Sequence, residues 1–137
     1  MKEEFVPYSL AIELKELGFN EHCFAKYYDD EKLYFPDLPF SSDLNSQALN
    51  SGLYTICDAP LYQQAFGFFR EKYSLFHKII DGSEMFSFEI SKNPITIWGY
   101  NFKTYEEAET ACLKKIIETV KQKLLHNEKT IYIIRGE

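Results

Sequence analysis

Three strand-length runs follow one another near the middle of the chain: LFHKIID, EMFSFEI and ITIWGYNF. Gly82-Ser83 separates the first two, and Lys92-Asn93-Pro94 separates the second pair. Within EMFSFEI, Met85, Ser87 and Glu89 alternate with Phe86, Phe88 and Ile90. Ile95, Ile97 and Gly99 repeat the pattern. A period of two marks a half-buried strand. Tight turns between such strands make an antiparallel meander, and its apolar face must be buried against another layer.

Helical segments supply that layer. In VPYSLAIELKELGF, Leu10, Leu14 and Leu17 recur at i, i+4 and i+7, beside Ala11. Pro7 suits a first helical turn. Gly18 suits a left-handed stop, with Phe19 folding back on Leu14. In APLYQQAFGFFREKY, Pro60 opens a second helix. At 100° per residue, Leu61, Tyr62, Ala65, Phe66, Phe68, Phe69 and Tyr73 fall within an arc of about 160°. That one-sided arc suits a helix lying on a sheet, and no polar groups converge among its aromatics as a cofactor would require. Lys72 lies inside the arc at the last turn, where its stem can follow the surface and its charge reach water. In TYEEAETACLKKIIETVKQKLL, Thr104 and Glu107 form a capping box. Tyr105, Ala108, Cys112, Ile116 and Val120 share a face. Glu106, Glu107 and Glu109 precede Lys121, Lys123 and His126, which complements the helix dipole.

HCFAKYYDDEKLYF reads as a hairpin, with strands near 22–28 and 32–35 around the turn-forming Asp29-Asp30. LYTIC, 53–57, reads as a short strand, and TIYIIR, 130–135, as a last strand or ordered tail. Residues 36–52 are a long irregular connection rich in Pro, Ser and Asn, with room for a helical turn at Ser46–Leu49. The expected architecture is one α+β domain over 1–137, three helices on antiparallel sheet, in the order α-β-β-β-α-β-β-β-α-β. A faint duplication runs through it. LKELGFNEHCFAKYYDDEKLYF and FREKYSLFHKIIDGSEMFSFEI both read helix end, strand, acidic turn, strand.

Charge and composition narrow the function. Fifteen basic residues against twenty-one acidic give a net charge of −6. Nucleic-acid grooves and anionic membranes call for clustered Lys and Arg, so neither is an expected partner. The charge is also too mild for a DNA mimic. Cys23, Cys57 and Cys112 have no framework spacing and read as reduced thiols of a cytosolic protein. Met1-Lys2-Glu3-Glu4 is not a secretory start, and no apolar run has the length of a membrane span. Phe, Tyr and Trp make 17% of the chain, which suits contact with another protein.

No catalytic, cofactor or metal site is expected. His22-Cys23 are adjacent and would point to opposite faces of a strand. No C-x-x-C or H-x-x-x-H pair occurs, and Asp29-Asp30-Glu31 lacks the spaced oxygens of a calcium loop. There is no G-x-S-x-G elbow, dinucleotide fingerprint or phosphate loop. Cys57 with His77 would make a nucleophile pair only in a thiolate-stabilising setting; otherwise Cys57 is a small hydrophobe at a strand end. The candidates for partner contact are Phe40, Leu44 and Leu49 in the long loop, and Trp98 and Tyr100, which alternate along one strand.

Three blocks also carry a likeness: KEEFVPYSLAIELKELGFNEHCFAKYY, APLYQQAFGFFREKY and TYEEAETACLKKIIETVKQK. They resemble corresponding segments of uncharacterised small proteins encoded in phages and prophages of Bacteroidetes, and cover about half of the sequence. The chain departs from those proteins at Gly67-Phe68-Phe69, where they often carry an aromatic pair, and segment 36–52 has no counterpart. The resemblance implies a phage or mobile-element origin and brings no catalytic residue with it. The expected role is a non-enzymatic protein that binds a host or bacterial protein in the bacterial cytoplasm, as an inhibitor of a defence system such as a CRISPR effector nuclease. The alternatives are a self-associating phage accessory protein, a homo-oligomer, and a small enzyme using Cys57 and His77.

Overall fold

A computed structural model describes residues 2–35, 54–122 and 131–135. The fold is α+β, and the helices and strands follow the order read from the sequence. The residues gather into two compact units, Met1–Ala65 and Phe66–Glu137.

The first unit opens with a short 3₁₀ turn, Lys2–Glu4, followed by helix α1, Tyr8–Glu16. Leu10, Ala11 and Leu14 are its buried stripe. The predicted stop forms in full. Gly18 takes a φ of 96°, its N–H donates to Lys15 O at 3.0 Å, and Phe19 N–H donates to Leu14 O at 3.0 Å. These are the two bonds of a Schellman motif. Strands β1 (Ala25–Tyr28), β2 (Leu33–Tyr34) and β3 (Thr55–Ala59) form an antiparallel sheet in the order β2-β1-β3. His22 and Cys23 precede β1 instead of lying on it. The hairpin turn is fixed by Asp30, whose carboxylate accepts from Lys32 N–H at 3.0 Å and Tyr34 O–H at 2.7 Å. Tyr27 is buried, and its hydroxyl donates to Val6 O at 2.7 Å. Strand β3 starts two residues later than the sequence suggested, and α1 lies against it.

Helix α2, Tyr62–Tyr73, begins two residues after Pro60. Leu61 is the residue before its first turn, and its N–H donates to Gln64 Oε1 at 2.9 Å, half of a capping box. Tyr62, Ala65, Phe66 and Phe69 are buried, inside the arc expected from the sequence. Lys72 is exposed and its ammonium sits 5.3 Å from the Phe68 ring centre and 5.5 Å from that of Tyr73.

In the second unit, β4 (Phe76–Asp81), β5 (Phe86–Lys92) and β6 (Ile95–Phe102) form the expected antiparallel meander. Helix α3, Tyr105–Lys121, then returns the chain to β7, Ile131–Arg135, which pairs with β6 in parallel. The sheet order is β4-β5-β6-β7. Helix α3 lies against β4, β5 and β6, and the core is Phe88, Ile90, Ile95 and Ile97 beneath Ala108, Cys112, Leu113, Ile116 and Ile117. The buried stripe of α3 keeps Ala108, Cys112 and Ile116 of the expected face and is wider than it. Leu113 and Ile117 are in the core, while Tyr105 is exposed with its ring edge-to-face with Phe86. Thr104 Oγ1 accepts from Glu107 N–H at 3.1 Å, as a cap should. The Glu107 carboxylate accepts from Lys103 N–H at 3.1 Å, one residue before the expected donor.

Candidate partner-binding face

The face of the four-stranded sheet away from α3 is built by period two. The register aligns Phe76 of β4 with Ser91 of β5 and Thr96 of β6, and aligns Lys78 with Glu89 and Trp98. Ile80 pairs with Ser87. Tyr100 follows Trp98 on the same face. Beyond it the alternation breaks. Asn101 takes a φ of 70° and the β5–β6 register shifts there. That extra residue forms a bulge and returns Phe102 to the core, where its ring stacks on Phe88.

The face is apolar at its margin and charged at its centre. Phe76, Ile80 and Tyr100 keep 52%, 39% and 40% of their surface exposed. Trp98 is half-buried, and its indole N–H donates to Glu89 Oε1 at 3.2 Å. Lys78 Nζ lies 3.9 Å from Glu89 Oε2. One carboxylate thus accepts from the indole and lies at the outer range of an ion pair with the exposed Lys78, a pair of little energetic weight. Tryptophan at the centre of a face with exposed aromatic neighbours is the composition of a protein-binding anchor. At the turn end, Ser74, Phe76, Ser91, Lys92, Asn93, Pro94, Ile95 and Thr96 line an open depression of about 550 Å³.

The structure places Trp98 and Tyr100 side by side on this face. Phe40, Leu44 and Leu49 lie outside the described residues. Phe76 and Ile80 were not singled out in the sequence, although FHKIID carries the signal: every second residue from Phe76 shares a face with its neighbours in LFHKIID.

Cys57 and His77 belong to different units. Cys57 is buried on β3, opposite Tyr27. Burial pushes its thiol above the ordinary range, only partly opposed by Lys15. The polar groups around it are already engaged: Lys15 Nζ donates to Ile56 O at 2.6 Å, and Lys26 meets Asp58 at 3.2 Å. His77 stacks on Phe66, ring centres 3.6 Å apart and planes 8° from parallel. Burial, with a smaller push from Arg70, lowers its pKa to about 4, so the imidazole is neutral at pH 7. Cys23 is pushed up to about 12 by burial and by Asp58 and Glu21, and burial raises Cys112 further. Among the described residues, no three His, Cys, Asp or Glu side chains cluster to hold a metal ion, and no helix is long and apolar enough to cross a membrane.

No family model, curated protein or solved structure matches this chain.

Proposed function

We propose that this chain is a non-enzymatic, protein-binding protein of phage or mobile-element origin, and that it takes a host protein on the open face of its four-stranded sheet. The observation that carries the reading is the arrangement of Phe76, Ile80 and Tyr100, all exposed, around a half-buried Trp98 whose N–H is held by Glu89. Aromatic side chains offer large contact area at low entropic cost, and they dominate the buried centres of protein interfaces. The net charge of −6 favours a protein partner over bare nucleic acid. The three buried thiols, all raised by burial, are protonated at pH 7, and a protonated thiol is a poor nucleophile, which supports a binding role over a cysteine enzyme. Within that role the target class is bacterial defence machinery, such as a CRISPR effector nuclease, which the chain would inhibit by occupying a functional surface.

The test is capture of the tagged chain's partner from a bacterial host lysate, with and without nuclease treatment, beside a Tyr100→Glu, Trp98→Ala variant. The expected result is one protein recovered in near-stoichiometric amount by the natural chain, insensitive to nuclease and lost in the variant. Recovery that vanishes on nuclease treatment, or that the variant retains in full, rejects the reading.

A further inference from the structure

β4 ends its sheet, and among the described residues it pairs only with β5. Edge strands of monomers are normally protected by proline, a bulge, charged side chains (lysine above all) or a covering segment. β4 carries no proline, and its register with β5 runs without interruption from Phe76 to Asp81. Its central charge, Lys78, is met from its own sheet by Glu89. Its two exposed apolar side chains, Phe76 and Ile80, stand symmetrically on either side of that lysine.

The other unit shows what a strand in this place accommodates. Both units run helix, strand, acidic turn, strand. In the first, the strand that follows the helix is β1, and it has a neighbour on each edge, β2 and β3. In the second, the strand in that place is β4, and among the described residues it has one, β5.

We infer that β4 pairs with β4 of a second copy of this chain, antiparallel and two-fold about Lys78, joining two four-stranded sheets into one of eight strands. An isologous contact needs a patch complementary to itself, and the segment Phe76-His77-Lys78-Ile79-Ile80 meets that condition. With Lys78 opposite its own copy, Phe76 stands opposite Ile80 twice on the open face, and His77 stands opposite Ile79 twice on the other. Aromatic–aliphatic cross-strand pairs of this kind stabilise a sheet. Both lysines keep their Glu89 partners, so the centre of the contact holds two positive and two negative charges. Trp98 and Tyr100 lie two strands away from the contact, so each dimer carries two copies of the partner-binding face. The dimer stands on the edge alone and does not depend on the function proposed above.

The purified full chain tests this by sedimentation from micromolar to near-millimolar concentration. The expected result is a concentration-dependent species of twice the chain mass, with Ile80→Glu weakening it by about tenfold or more while the circular dichroism spectrum is kept. A Lys78→Cys variant fixes the register: mild oxidation should link it into a covalent dimer, while Lys103→Cys, also exposed but far from β4 in the chain, should form no covalent dimer. A monomer at every concentration overturns the proposal, including the case in which β4 accepts a strand from a different protein. A dimer that Ile80→Glu leaves intact and Lys78→Cys fails to link overturns it as well.

Discussion

Gly99 has no side chain because the Phe88 ring fills the space that one would take. A Cβ at Gly99 would stand 2.3 Å from Phe88 Cε2 and 2.5 Å from its Cζ, well inside contact distance. The Phe88 ring is buried and stacked on Phe102, so it has nowhere to turn. Gly99→Ala should therefore destabilise the second unit by about 1–3 kcal/mol, the usual result of overpacking a core. Urea denaturation checks this, and an unchanged midpoint would show that the ring can move aside. His77 offers a second prediction. Its folded pKa is about 4, against 6.5 for the free side chain, because burial disfavours the charged ring. Above pH 6.5 both folded and unfolded states are neutral and nothing is lost. As pH falls from 6.5 to 4 the unfolded chain takes up the proton first, so stability drops across that window and levels off below it. The ring is only partly buried, so solvent screening reduces the effect to on the order of 1 kcal/mol. His77→Phe keeps a ring against Phe66 and should abolish this part of the pH dependence, as read from urea midpoints at pH 4 and pH 7. An undiminished slope would place the titration on other groups. At this scale the sequence is legible where one residue type has one use, as with Gly18 in a left-handed stop. It misleads at Asn101. Period two, continued through Ile95, Ile97 and Gly99, would turn Phe102 outward. The bulge turns it inward, and the one local sign is Asn101 itself, asparagine being among the few non-glycine residues that favour a positive φ.

At the scale of elements, helix ends are written locally and helix faces are not. The Thr104 cap and the Gly18 stop each depend on residues within five positions of one another, so the sequence shows both. Thr104→Ala should cost about 1 kcal/mol by leaving the Glu107 N–H without its acceptor, whereas Thr104→Ser should cost little. Thermal unfolding of the two variants checks this, and equal losses would remove the cap from the account. The buried stripe of α3 is wider than the single row read through Tyr105 and Val120, because a helix spread over three strands touches more than one row of positions. Leu113 and Ile117 lie in that wider stripe. The parallel pairing of β7 was not legible for a related reason. A strand that follows a crossover helix can return beside its neighbour only once the helix has a sheet to lie on, so its partner is set by the assembled unit. The face of β4 fell between these cases. Its alternation is present in FHKIID, but whether an alternating strand shows Phe76 and Ile80 or hides them depends on which face the helix covers.

At the scale of the whole molecule, the two units share an order of elements and differ in where the first strand of each hairpin sits. β1 is central in its sheet and β4 is at an edge. Among the described residues β4 thus has one neighbour, β5, and the proposed self-association and the proposed partner contact lie on adjoining surfaces of the second unit. Within their own units, Cys57 is a buried thiol whose pKa burial raises, and His77 is stacked on Phe66 with its pKa lowered to about 4. The proposed partner face carries Trp98, whose indole N–H is held by Glu89. The most direct measurement is the affinity of the captured partner for the natural chain and for Tyr100→Glu, determined by titration calorimetry with the fold of both checked by circular dichroism. A charge forced into the contact beside Trp98 should weaken binding by at least about 2 kcal/mol, or about thirtyfold. Equal affinities for the two chains would contradict the account and remove the sheet face from the interface.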